Sequence, residues 1–310
     1  LVRDEIRGEI RFENSEVNDI ILMKSDGFPT YHLANVVDDH LMGISHVLRG
    51  EEWISSAPVH VILYAALDWT APAFLHLPLI LSPDGGKMSK RKGATTVREF
   101  RDAGYLPETL VNFLALLGWS CNDKDEIFSR EELIEKFSVD RIKPAAARFN
   151  REKLDWMNGL YIRKLSPERF FACAAPFLKE SGLVSETDLT EKKEWITGIL
   201  TSVQERTVLL SELPERIGFF LSADFDFDKK ARKKLRGSAQ ILRAYREELE
   251  KDFPRDHDGL EENARKFCEA RDISFGKMVH PVRAALSGTT IGPSLFDIVL
   301  HRSEERRVGK

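Results

Sequence analysis

The residues best suited to do chemistry in this 310-residue chain are a cluster of cations behind an apolar run. Leu75 to Leu81 is apolar and predicts a buried parallel strand. Ser82, Pro83, Asp84, Gly85 and Gly86 break it with turn residues, and Lys87, Lys90, Arg91 and Lys92 follow. A cationic loop at the carboxyl end of a parallel strand suits a nucleotide polyphosphate. Ammonium groups meet its charge, and glycines let backbone N–H groups approach it. A basic run can equally be a solvated surface turn, and charge alone leaves both readings open.

A second polar cluster, Arg49 to Trp53, follows a strand predicted over Ile44 to Leu48. A helix from about Ser56 to Leu67 leads from there to the strand at Leu75, giving a parallel βαβ unit. Both clusters then sit at one rim of the sheet, where a ligand site needs them. Upstream, Leu1 to Phe12 reads as polar-faced strand pieces, and Ile20 to Met23 as a short strand ended by the turn Ser25-Asp26-Gly27. Thr30 reads as the N-cap of a helix from Tyr31 to about Leu41, with Tyr31 and Asn35 on one face and Gly43 beyond its end.

Beyond the loop the pattern is helical. Leu106 to Leu117, a capping box at Ser129, a helix from Arg148 to Asn158 followed by Gly159, and a helix opening at Ser166-Pro167-Glu168 succeed one another. Pro214 reads as a further break, Asp228 to Arg271 is charged and amphipathic, and Gly276 to Leu286 is the last clear helix. Hydrophobic content of 42% with 31% charged residues is ordinary for a globular protein of two or three domains. The net charge of -4 confines any nucleic-acid site to a local basic patch. Cys121, Cys173 and Cys268 form no metal-ligand pair, and no run approaches membrane-span length.

Lys87-Met88-Ser89-Lys90-Arg91 resembles the KMSKS-type signature of class I aminoacyl-tRNA synthetases, in the form common in the glutamyl branch. Lys24 to His40, Arg49-Gly50-Glu51-Glu52-Trp53, Leu154 to Gly159 and Pro281 to Gly288 are similar, in order, to bacterial glutamyl-tRNA synthetases, and the likeness runs to about Val299. It implies an α/β plus all-α chain: a partial Rossmann-like class I catalytic fold, a stem-contact region and a helical anticodon-binding domain. The expected divisions are 1–30, the end of an acceptor-binding insertion; 31–86, the second half of the catalytic fold; 87–165, the signature loop and stem-contact region; and 166–300, the anticodon domain with a break near 214. The family's HIGH signature is expected before Leu1. The charged tail 301–310 departs from the family's pattern and is expected to be foreign to it.

The resemblance implies an ATP-dependent ligase that joins glutamate to tRNA(Glu) through glutamyl-adenylate. It implies ATP with Mg2+ as substrate, no protein-bound zinc, no membrane partner, a monomer and a cytoplasmic location. Lys87 and Lys90 are the implied catalytic cations, with Ile80, Met88, Ser89 and Arg91 completing the ATP site. Arg91 and Lys92 could also be loop surface or tRNA contacts. Arg49 would fork onto the substrate's side-chain carboxylate; the alternative is a salt bridge to Glu51 or Glu52. Tyr31, Asn35 and Trp53 complete the glutamate pocket, and Glu52 is assigned a ribose or tRNA hydroxyl. Arg206 and Arg283 would face the anticodon. Competing readings are a glutaminyl-tRNA synthetase, which the lack of a hairpin series disfavours; the short glutamyl-queuosine enzyme, which the helical half disfavours; and a tRNA-binding module without catalysis.

Overall fold

A computed structural model of the chain describes residues 1–86, 88, 96–122, 124–222 and 224–308, with 303–308 by backbone alone. Two compact units result: Leu1–Thr95 with Pro107–Leu154, and Thr96–Leu106 with Asp155–Lys310. Helix accounts for 57% of the chain, with a small mixed sheet.

In the first unit, β1 (Val2–Asp4) and β2 (Gly8–Ile10) form an antiparallel hairpin. After helix α1 (Tyr31–Leu41), β3 (His46–Gly50), α2 (Ala57–Ala66) and β4 (Ala73–Leu77) make the expected parallel βαβ unit. The strand order is β2-β1-β4-β3, and β4 is parallel to both its neighbours. Val36 of α1, Leu63 and Tyr64 of α2 and Phe74 of β4 are buried together and seat the helices on the sheet. This register sets Arg49 opposite His76 and Asp4 opposite Phe74.

Three strand expectations are corrected. The run Leu75 to Leu81 is two strands: β4 stops at Leu77, and β5 (Ile80–Leu81) pairs in a separate sheet with β6 (Ala147–Arg148). Pro78 lies between them and has no N–H with which to continue a ladder. The strand expected over Ile44 to Leu48 spans His46 to Gly50 and is an edge strand, half open to solvent, with Leu48 50% exposed. Ile20 to Met23 forms no strand beyond one bridge from Met23 to Pro29, because the turn closes locally through Lys24 N–H to Phe28 O at 2.9 Å. Thr30 precedes α1 as expected, but its hydroxyl donates to Ile21 O at 2.7 Å instead of capping the helix.

The first unit also holds α4 (Pro107–Ala115) and α5 (Arg130–Lys136), which follow α3 (Val97–Asp102) of the second unit in the chain. Ser129 and Glu132 form the expected capping box on α5, with reciprocal bonds of 2.7 and 3.1 Å.

The second unit is helical. α6 (Arg151–Lys164) runs on through Gly159, where a stop was expected. Buried Asn158 ties the helix to two loops, accepting from Leu106 N–H at 2.9 Å and donating to Val208 O at 2.6 Å. There follow α7 (Pro167–Glu180), α8 (Glu186–Glu191), α9 (Lys193–Gln204) and α10 (Leu213–Leu221). Pro214 opens α10 in its first turn, where a missing N–H costs nothing. Phe170, Leu178, Ile196, Ile199, Leu213 and Phe220 form one core here. α11 (Lys229–Leu235), α12 (Ala239–Lys251), α13 (His257–Glu269), α14 (Phe275–Ser287) and α15 (Leu295–Val308) complete the chain. Tyr245, Leu260, Phe267, Met278 and Phe296 are buried in a second core. α15 lies beyond the last helix expected from sequence and includes part of the charged tail. Its Leu295, Phe296, Ile298 and Val299 are buried, which the charges after His301 obscure in a reading by composition.

Gly288 ends α14 in the left-handed conformation (φ 71°), and a Cβ there would lie 2.2 Å from Asp226 O. Gly182 has a similar φ of 76°, but its Cβ would meet nothing within 4 Å. Gly182→Ala is therefore expected to cost about 1–2 kcal/mol, the backbone penalty alone. Gly288→Ala should cost at least twice that, because the Asp226 backbone must also move. Urea unfolding of both variants checks this, and equal losses would contradict the close approach.

Candidate functional site

Arg49 is the penultimate residue of β3 and the centre of a buried polar chain that sequence reasoning did not find. Its Nε–H donates to His76 Nε2 on β4 at 3.0 Å, and its Nη1 lies 3.2 Å from His60 Nδ1 on α2. His76 Nδ1 lies 2.6 Å from Asp4 Oδ2 on β1, and His60 Nε2 lies 2.9 Å from His32 Nδ1 on α1. Asp4, His76 and His60 are all buried. Asp4 also accepts from the backbone N–H groups of Ile6 (3.0 Å), Arg7 (2.8 Å) and His76 (3.0 Å). Four elements thus converge on one guanidinium, whose Cζ sits 5.4 Å from the centre of the Phe74 ring. The third nitrogen, Nη2, is buried and makes no hydrogen bond of good geometry among the described residues, although the Tyr31 side chain lies near enough to interact with the guanidinium.

Neighbouring acids are committed elsewhere. Glu51 pairs with Arg7 and accepts from Leu79 N–H at 3.2 Å. Glu52 is exposed and folds back over Gly50, where its carboxylate occupies the space a Cβ would need. Tyr31 and Trp53 stand with ring centres 5.1 Å apart, 49% and 38% exposed, and the Tyr31 ring lies 6.1 Å from His60. Asn35 is half-buried one turn along α1 from Tyr31. The structure therefore brings Tyr31 and Arg49 to His60, with Trp53 against Tyr31.

In the loop, Ser82 closes a turn: its N–H and hydroxyl both donate to Gly86 O, at 2.7 and 2.8 Å. Met88 N–H reaches Ile80 O at 3.5 Å. Lys87, Ser89, Lys90, Arg91 and Lys92 lie outside the described residues.

In the second unit Arg206 and Arg283 meet one loop: Arg206 donates to Gly292 O and Arg283 to Pro293 O. Burial lowers the Arg283 pKa, as does the Arg206 charge, while Asp297 opposes. α11 is bolted to the same region, Asp228 N–H donating to Gly288 O at 2.9 Å. It carries Lys229, Lys230, Arg232, Lys233 and Lys234, a basic patch that spacing alone did not single out.

Burial governs the protonation of the first cluster. His60 is pushed down to about 4, by burial first and then by the charge of Arg49 and by His32 and His76. His76 is lowered chiefly by burial, which outweighs its bond to Asp4. Burial raises the Asp4 pKa, but the bonds from His76, Arg7 and Ile6 outweigh it and hold Asp4 below its usual value. Burial lowers Arg49, with Tyr31, Asp39 and Asp4 opposing. An unfolded histidine titrates near 6.5, so between about pH 6.5 and 4 the unfolded chain binds the proton that folded His60 refuses. Stability should fall by roughly 2–3 kcal/mol on acidification from pH 7 to 4.5 through this residue. His60→Asn should shrink that loss in urea titrations at the two pH values; an unchanged loss would contradict a neutral His60.

The class I tRNA synthetase (E and Q) catalytic-domain model matches residues 1–156, and an anticodon binding domain model matches 169–305. A glutamate–tRNA ligase of Dehalococcoides mccartyi strain BAV1 is 44% identical over 313 residues, covering 99% of this chain and 64% of that protein. That of Moorella thermoacetica is 41% identical over 302 residues, covering 96% and 62%. The crystal structure of a glutamate tRNA ligase from Elizabethkingia meningosepticum in complex with its amino acid superposes with a TM-score of 0.85 at 34% identity, covering 99% of this chain and 64% of that one. The chain thus spans about 64% of the length of these relatives. With a catalytic-domain match over residues 1–156 and an anticodon-domain match after it, the chain belongs to the class I tRNA synthetases of the glutamate and glutamine branch.

Proposed function

We propose that this chain supplies the glutamate side-chain pocket, the cationic ATP loop and the anticodon-facing helices of a glutamate–tRNA ligase. The observation that carries this reading is the buried Nη2 of Arg49, which no hydrogen bond of good geometry among the described residues satisfies. A desolvated guanidinium nitrogen with an unmet hydrogen bond is costly, and a bound carboxylate would satisfy it and its charge together. Tyr31 packs against both His60 and Trp53, with Asn35 one turn along α1, and these are the groups we assign to a small amino-acid pocket beside it. Arg49 reads the glutamate side chain, and glutamate attacks ATP to give glutamyl-adenylate and pyrophosphate. The glutamyl group then passes to the terminal ribose of tRNA(Glu), releasing AMP.

No side chain need form a covalent intermediate, so the protein contributes positioning and charge neutralisation. Lys87 and Lys90, with Ile80, Met88, Ser89 and Arg91, are assigned to ATP and its Mg2+ on the strength of the signature. Glu52 is assigned to a ribose or tRNA hydroxyl, and the enzyme to the cytoplasm as a monomer. Arg206 and Arg283 serve the anticodon, and the lysines of α11 its phosphates, since phosphate contacts position and base contacts specify.

The 310 residues span about 64% of these relatives' length, and for these residues tested by themselves the reading is binding without catalysis. Filter binding should show weak tRNA(Glu) retention that falls steeply with salt. Glutamate-dependent ATP–pyrophosphate exchange should be absent. Arg206→Ala should reduce discrimination against anticodon-swapped tRNA more than overall binding. Exchange by the chain alone would overturn this division of labour, and indifference to the anticodon would overturn the assignment of Arg206.

A further inference from the structure

The first unit meets an unusual electrostatic problem in an unusual way. A partly buried arginine in a protein interior ordinarily pairs with a carboxylate. Arg49 has two histidines instead. Among the described residues it forms no ion pair. The acids nearest in sequence are out of play: Glu51 is taken by Arg7, and Glu52 lies over Gly50.

Donor and acceptor roles fix both ring tautomers. A guanidinium only donates, so His76 Nε2 and His60 Nδ1 must each present a lone pair to it. The His76 proton is then on Nδ1 and is given to Asp4 Oδ2 at 2.6 Å. The His60 proton is on Nε2 and is given to His32 Nδ1 at 2.9 Å. The Asp4 carboxylate, with three backbone N–H donors as well, is held one residue away from the guanidinium. Its charge orients His76 but does not pair with Arg49. Asp39 of α1 is felt by Arg49 only at longer range, and its own carboxyl is raised by burial.

We propose that His60 and His76 are specificity-determining positioning residues: they hold the Arg49 guanidinium through ring nitrogens in place of carboxylates. The positive charge is thereby left for an anionic substrate side chain and set against an uncharged one. This rests on the reading of Arg49 as the group that faces the glutamate side chain. An internal carboxylate would compete with the substrate for Arg49. A carboxylate at position 60 or 76 would orient Arg49 equally well, but it would neutralise the charge before the substrate arrived. Glutamate would then displace an internal ion pair, and glutamine, which offers an amide of the same shape, would lose its disadvantage. Neutral acceptors provide orientation without that competition.

The test separates charge from shape. Asn and Asp both place an acceptor where His60 Nδ1 stands, and they differ only in charge. L-Glutamate and L-glutamine are titrated into the 310-residue chain while the Arg49 Nε–H resonance is followed by NMR. The unaltered chain should respond to glutamate at concentrations at least about tenfold below those needed for glutamine, a difference of ~1.4 kcal/mol. His60→Asn should weaken both responses yet keep the preference, and His60→Asp should abolish it.

Loss of the preference in both variants would reduce His60 to a structural role and overturn the proposal, as would its retention in His60→Asp. No glutamate response in the unaltered chain would overturn the assignment of Arg49 itself, and this inference with it. Should either variant fail to fold, ring 15N shifts of the unaltered chain decide. A proton on His76 Nδ1 and on His60 Nε2 supports the proposal, and the opposite tautomer at either ring overturns it.

Discussion

A guanidinium withdrawn from water keeps its charge but loses the solvent that stabilised it, and the first unit is arranged around that cost at Arg49. The β3–β4 register places His76 directly across from it, α2 brings His60, and β1 brings the Asp4 that anchors His76. The three parallel strands β1, β3 and β4 and the helices α1 and α2 therefore each contribute one member to a single hydrogen-bonded chain. The same desolvation that burdens Arg49 keeps His60 neutral, so the acceptors remain acceptors at any pH near neutrality. The arrangement is self-consistent: protonating either histidine would put two cations in contact and remove a lone pair the guanidinium needs.

The second unit handles its arginines differently. Arg206 and Arg283 donate to main-chain carbonyls of one loop, Gly292 and Pro293. These bonds pin the loop between α14 and α15 and hold two like charges near each other, which lowers the Arg283 pKa. The loop begins at Gly288, whose lack of a side chain lets the Asp226–Asp228 backbone pass close by. That contact seats the basic helix α11 on α14, which carries Arg283, so cations distant in sequence gather on one helical unit of a chain whose net charge is -4.

Sequence by itself determined a good deal. Local rules carried the capping box at Ser129 and Glu132, the βαβ unit, the helix holding Tyr31 and Asn35, and the helical carboxyl half, because caps, periodicity and turn residues act within a few positions. Motif order carried the family. What tertiary structure alone decided was pairing. The apolar run after Leu75 divides between two sheets because Pro78 interrupts a ladder whose partners lie far away in the chain. A histidine inside an otherwise apolar strand, His76, was the one available signal of the buried network, yet its partners sit 72 residues upstream and 27 residues upstream. Glu51, adjacent in sequence to Arg49 but one, was the natural partner to expect; Arg7, 44 residues away, takes it. Ion pairs and buried hydrogen bonds are chosen by distance in space and by what else competes for each group, and neither is written in local spacing.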